Sequence, residues 1–283
     1  MTILFFGGHT FDMVYALNAL PAENAKAKAA RVYTAAGGPA LNAAITCAIL
    51  GGEAVYAGAL GAGPLTDAVT AEAAQYGVRL HPIGAPTGDA PCASVALTPG
   101  GGRTIWSPPQ TESPERWRES LPDPADFDAL LIDGQLPEAA TGIARAFRDA
   151  GKPVLLDAGS WKPGMDALTR LATETIASSA FAIRDESEVI AALLARGASL
   201  AAVTADAGPI VWKGADGRSG SVRPPQVEAV DTLAAGDVFH GAYAYFRFAA
   251  GRDVEPALEA AARVAASSVA YEGPRAGVRA MRD

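Results

Sequence analysis

Cysteine is almost missing from this chain: Cys47 and Cys92 are the only two in 283 residues. So few thiols, so far apart, cannot frame a disulfide scaffold. Cys47 falls in an apolar helical run and Cys92 in a strand-like one, so both read as small core residues. Positive charge is also in deficit, with 23 Lys and Arg against 31 Asp and Glu, for a net charge of -8. That balance argues against a nucleic-acid partner, which needs a basic face, but leaves a small nucleotide open. No apolar run reaches the roughly 20 residues of a membrane-spanning helix without Gly, Pro or charge. The opening "MTILFFGGHT" lacks the basic start of a signal peptide. A cytoplasmic protein with no membrane contact is therefore expected. No G-x-G-x-x-G follows the first strand, where Gly7-Gly8-His9 stands, and no G-x-x-x-x-G-K-[ST] occurs anywhere. A nicotinamide-dependent oxidoreductase and a P-loop enzyme are set aside on that ground. Internal repeats and low-complexity tails are missing as well.

What is present is an ordinary globular composition, 49% hydrophobic and 19% charged, too apolar for disorder. Length allows one large domain, or one with an appendage, and burial of roughly 75% of the unfolded surface. Residues 3–6 read as a buried strand closed by Gly7-Gly8. Helix is predicted over 37–50, 64–76, 137–150, 184–196, 235–250 and 254–271. Strands are predicted near 53–60, 78–82, 128–132, 153–157, 175–178 and 200–204. This alternation predicts an α/β fold, a mostly parallel sheet covered by helices on both faces. Two stretches break the rhythm, near 10–35 and 88–107, and read as short strands forming a small separate sheet.

"DTLAAGDVFHGAY", residues 231–243, carries the chemistry. Ala234, Ala235 and Gly236 have no side chain beyond a methyl, so a ligand can approach their backbone. If a helix begins there, its first N–H groups lack partners and point outward, making an anion site. Asp237 then sits in the first turn beside the anion, where a carboxylate can act as a general base. The plainer alternative is an acid that favours the helix dipole beside tightly packed small residues.

This stretch resembles the D-T-x-(G/A)-A-G-D signature of the ribokinase, or phosphofructokinase-B type, carbohydrate kinases. "GGPALNAAITCAILGG", residues 37–52, is similar to that family's G-G-x-x-x-N-x-A motif. The resemblance implies a ribokinase-like three-layer α/β/α fold over residues 1–283 as a single kinase domain, with lid strands inserted at about 10–35 and 88–107. It implies Asp237 as catalytic base and Ala234, Ala235 and Gly236 as the anion hole for the transferred phosphate of ATP. It implies Gly38, Asn42 and Asp12 as sugar contacts, and a homodimer formed through the lid. Arg103, after the lid's glycine turn, is a further substrate candidate. Asp231 and the tail 271–279 resemble a potassium site found in some members. Alternatives on the same fold are a nucleoside or vitamin kinase, or a sensor without activity.

Departures from the pattern matter too. Pro39 stands where many members have Asn. Ser178-Ser179-Ala180-Phe181 replaces the N-x-x-E motif tied to Mg2+, so Mg2+ is expected to ride on the ATP phosphates and water, unless Asp185 or Glu186 substitutes. "VTADAGP", residues 203–209, keeps Thr204 as a nucleotide-side residue but puts Asp206 and Pro209 where Gly is expected, which predicts a reshaped loop. Lys162, in "LLDAGSWKPGM", lies after a strand end and is a candidate for ATP phosphates or a charged substrate. His240, one turn past Asp237, reads as packing.

Overall fold

In a computed structural model of the chain, residues 1–84, 88–109, 117–183 and 188–282 are described. The order is β1 (Thr2–Phe6), β2 (Thr10–Ala16), β3 (Arg31–Gly37), α1 (Pro39–Ile49), β4 (Glu53–Gly58), α2 (Pro64–Gln75), β5 (Arg79–Pro82), β6 (Cys92–Thr98) and β7 (Gly102–Trp106). Then come β8 (Ala129–Ile132), α3 (Pro137–Asp149), β9 (Val154–Ala158), α4 (Met165–Leu171), β10 (Glu174–Ser178), α5 (Val189–Ala195) and β11 (Leu200–Thr204). The chain closes with β12 (Ile210–Gly214), β13 (Ser219–Val222), α6 (Ala235–Ala244), α7 (Val254–Val269) and α8 (Ala276–Arg279).

Nine strands form one sheet in the order β13-β12-β11-β10-β9-β8-β1-β4-β5. Every pairing from β5 across to β11 is parallel, and β12 and β13 add antiparallel strands at one edge. Ile3, Leu4, Phe5 and Phe6 of β1 are all fully buried, which explains the continuous apolar run. The two-residue period of a strand splits them between faces. Ile3 and Phe5 join the core made with α1, α6 and α7, whereas Leu4 and Phe6 join the core made with α3, α4 and α5. The fold is thus a three-layer α/β/α arrangement.

The two stretches that broke the alternation supply a separate four-stranded sheet, β3-β2-β6-β7. Three details differ from the sequence expectations. The helix α4 (Met165–Leu171) was not anticipated, because Pro163-Gly164 reads as loop; Gly164 instead serves as its left-handed N-cap. The helix expected over 235–250 ends at Ala244 and widens into a π-turn over Tyr245–Ala249, closed by Ala250 N–H donating to Tyr245 O at 2.9 Å. Cys92 is only half-buried, whereas Cys47 is fully buried.

Candidate active site

Asn42, Asp133, Asp157, Asp237 and His240 come together at the carboxyl ends of β1, β8 and β9, where open parallel sheets bind ligands. The approach to α6 is set by Asp231, whose Oδ1 accepts the Leu233 N–H at 2.9 Å. Ala234 then takes a left-handed backbone, φ 59°, as N-cap, with no side-chain cap on the helix. Ala235 N–H donates to Thr232 O at 3.3 Å, and no side chain caps the N–H groups that follow it. Gly236 is exposed, and a Cβ built on it would meet nothing within 4 Å. Neither packing nor φ demands glycine there, so the open space above its backbone is the feature that glycine preserves.

Asp237 follows in the first turn, and its Oδ2 accepts a hydrogen bond from Asn42 Nδ2 at 2.7 Å. The contact spans 195 residues and depends on a close crossing of α1 and α6. Gly241 is pressed against the Ala43 backbone, where any Cβ would collide. Burial raises the Asp237 pKa to about 7; the neighbouring Asp157 and, less strongly, Asp133 push the same way, while Asn42 and His240 oppose. Asn42 is itself buried, and its Oδ1 has no hydrogen-bond partner. A buried acceptor without a donor beside a carboxylate is suited to a ligand hydroxyl.

Asp133, which sequence reading passed over, organises the floor of the site. Its Oδ2 accepts the Gly8 N–H at 3.0 Å and the Ala40 N–H at 3.1 Å, and its Oδ1 accepts the Gln135 N–H at 2.8 Å. It thereby caps α1, whose N-cap Gly38 offers no side chain and whose first residue, Pro39, needs no donor partner. That explains the Pro. Gly7 is required because a Cβ would strike the Asp133 carboxyl, and Gly38 because φ is 96° and a Cβ would strike Gly8 O. Burial raises the Asp133 pKa to about 6, against the pull of Lys162 and three backbone donors. The Lys162 stem lies over Gly134. It therefore sits on the β8 side, three strands from Thr204 at the end of β11, so the structure does not bring these two nucleotide-side candidates together.

On the other side, Asp12 of β2 is buried and accepts a hydrogen bond from Thr10 Oγ1 at 2.5 Å. Burial raises its pKa, with Thr10 and Arg275 pulling the other way. Beside it, the edge strand β3 ends in a clamp. Ala36 N–H donates to Glu72 Oε2 at 2.6 Å, Arg275 Nη2 donates to Ala36 O at 2.7 Å, and Arg275 pairs with Glu72 at 3.1 Å. The ion pair takes the place of a neighbouring strand at the hinge of the small sheet.

That sheet rests on the loop before α6. Tyr33 O–H donates to Asp231 Oδ2 at 2.5 Å, Thr232 Oγ1 donates to Gly101 O at 2.5 Å, and Arg103 Nη1 reaches Thr232 O and Oγ1 at 3.2 and 3.0 Å. Arg103 thus holds the loop leading to α6. Asp231 Oδ2 also accepts the Gly273 N–H at 3.0 Å. Three donors thus converge on this buried carboxylate, and a monovalent cation at Asp231 would have to share it with them or displace them. The 203–209 loop keeps a left-handed turn by placing Asp206 itself at φ 46°. Ser178 Oγ is engaged with Gly159 O at 2.5 Å, and Asp185 and Glu186 lie outside the described residues.

The model of the pfkB family of carbohydrate kinases matches residues 3–281, nearly the whole chain. The chain belongs to that family. Among solved structures, a candidate ribokinase from Agrobacterium tumefaciens is 26% identical, with 98% of this chain and 94% of that one covered at a TM-score of 0.83. A fructokinase with bound ATP from Xylella fastidiosa is 25% identical, with coverages of 98% and 94% and a TM-score of 0.74. An Arabidopsis thaliana ribokinase complexed with ribose and ATP is 20% identical, with the same coverages and a TM-score of 0.76. This carbohydrate kinase therefore carries the family's fold with its own fittings at Pro39, Ser178 and Asp206. No helix among the described residues is long and apolar enough to cross a membrane.

Proposed function

We propose that this kinase transfers the γ-phosphoryl group of ATP to a hydroxyl of a sugar or sugar derivative. The observation that carries the reading is Asp237, a carboxylate of pKa about 7 at the uncapped start of α6, hydrogen-bonded to Asn42. A base with that pKa is ionised in useful fraction near neutral pH and still basic enough to take a hydroxyl proton in the transition state. Asn42 and Asp12 hold the sugar, one through an orphaned amide oxygen and one as an acceptor. The backbone N–H groups of Ala234 and Gly236, and that of Ala235 on leaving its 3.3 Å contact with Thr232 O, receive the charge that develops on the phosphoryl oxygens. The small sheet acts as a lid that keeps water from competing for the phosphoryl group.

Mg2+ would come with ATP, held by its phosphates and water; among the described residues no group of three or more His, Cys, Asp or Glu is arranged to hold a metal ion. When bound, the ion neutralises phosphate charge. The protein's own part is to orient and to move the proton at Asp237 Oδ.

ADP release from Mg-ATP across ketoses, aldoses, sugar acids, sulfosugars and nucleosides tests this, with Asp237→Asn in parallel. Turnover on one class, lost at least about a hundredfold in the variant, is expected. Binding of a sugar or ATP with no turnover on any class would make the protein a sensor. Turnover on nucleosides alone would move the acceptor to that class.

We also propose that two copies pair through the lid. Val32 on one edge strand and Ile105 and Trp106 on the other are 56%, 47% and 56% exposed. Sedimentation is expected to show a dimer that Ile105→Lys with Trp106→Lys converts to monomer.

A further inference from the structure

His240 lies one turn past Asp237 on α6 and is 5% exposed. Both of its ring nitrogens face oxygen acceptors. Nδ1 is 2.8 Å from Gly236 O and 3.4 Å from Asp157 Oδ2, and Nε2 is 3.2 Å from Ile176 O. A neutral imidazole has one N–H and one lone pair. Either tautomer would therefore aim a buried lone pair at a carbonyl oxygen. A ring protonated on both nitrogens satisfies every contact and places its charge against the buried Asp157 carboxylate.

We propose that His240 is held as the imidazolium and, paired with Asp157, is a positioning residue for the base and the anion site. Through Nδ1–H it fixes the carbonyl of Gly236, the residue whose open backbone starts α6. Through Nε2–H it ties α6 to β10. Its charge also decides the balance around Asp237. The groups facing that carboxylate are Asp157 from β9 and Asp133 from β8, with Lys162 beside the latter, Asn42 from α1, and His240 from α6 itself. Without the imidazolium, Asp237 shares its surroundings with two other carboxylates and its nearest compensating charge is gone. The base then stays protonated to higher pH. The charge state of His240 stands apart from the assignment of the reaction; its effect on turnover rests on the kinase reading.

The first measurement is long-range 1H–15N correlation of the histidine side chains in the labelled full-length protein. The chain has three histidines, His9, His81 and His240, so loss of one set in His240→Gln assigns the signal. Both His240 nitrogens are expected at protonated-type shifts at pH 7.5. A lone-pair-type shift on either nitrogen overturns the proposal, whether or not any sugar is turned over. The second measurement is the pH dependence of kcat in His240→Gln. Its acid limb is expected to move up by about one pH unit, which costs about tenfold in rate on that limb and is largely recovered above pH 8.5. A loss equal at every pH would reduce His240 to packing and overturn the positioning role. Should the variant fail to fold, His9→Gln and His81→Gln assign the remaining signal set to His240 by elimination.

Discussion

Asp237 ionises about three pH units later than an ordinary aspartate, since burial and Asp157 both resist its charge. The sign of the consequence follows from linkage. A carboxyl whose folded pKa is raised binds a proton in the native state that the unfolded chain has already released. Stability therefore falls as pH rises from about 4 to about 7 and stays lower above that. Asp237→Asn keeps an acceptor for Asn42 and carries no charge. It should raise Tm by at least about 2 °C at pH 8 and lose that advantage at pH 4, while activity is abolished; scanning calorimetry at both values checks it. No gain at pH 8 would mean the carboxylate is not strained by its surroundings. Asp133 is the opposite case, a carboxylate on which other groups depend. Asp133→Ala strands the N–H groups of Gly8, Ala40 and Gln135 in the interior, at about 1–3 kcal/mol for each buried donor left unmade. A loss of at least about 3 kcal/mol in urea unfolding is expected, with Asp133→Asn milder because one accepting oxygen remains.

At the scale of elements, α6 is legible in the sequence because its information is local. Small residues, an acid in the first turn and the apolar run after it are contiguous from 231 to 243. The small sheet is legible for a similar reason, since strand-like stretches at 10–35 and 88–107 interrupt a regular alternation. What the sequence hides are contacts whose halves lie far apart in the chain. Asp133 caps α1 across 93 residues, and Glu72 and Arg275 clamp β3 across 203; neither leaves a pattern at either end. Residues with a functional look in the sequence have structural duties as well. Gly38 is needed for its positive φ and its closeness to Gly8, and Arg103 holds Thr232 through Nη1. Gly236 is the converse, since no packing requires it. Gly236→Ala should therefore leave the fold intact, or stabilise the helix by up to about 1 kcal/mol. It should still lower kcat at least about tenfold, because the methyl occupies the approach to the anion site. Unchanged turnover with a stable fold would remove that backbone from the mechanism.

On the scale of the whole molecule, the small sheet and the main body meet at Asp231 and Thr232, and the meeting occupies most of the acceptors there. Asp231 takes Tyr33 O–H from the lid, Gly273 N–H from the tail and Leu233 N–H from its own turn. Nearby, Thr232 O takes Arg103 and Ala235 N–H, and Gly277 O takes Ser267. An ion of low charge density gains little by displacing hydrogen bonds that already satisfy a buried carboxylate. Tyr33 and Arg103 thus fix the loop before α6, and its order does not depend on an ion. Initial rates at constant ionic strength in potassium, sodium or choline chloride should agree within about twofold, and the unfolding temperature should not distinguish the three salts. Tyr33→Phe removes one donor from Asp231 and loosens the lid. It should raise the KM for the sugar more than it lowers kcat, since it weakens closure over the acceptor and leaves Asp237 untouched. Activation by potassium beyond about tenfold, together with a potassium-specific rise in Tm, would show that Asp231 exchanges its donors for an ion. The Tyr33 contact would then be a feature of the ion-free state alone.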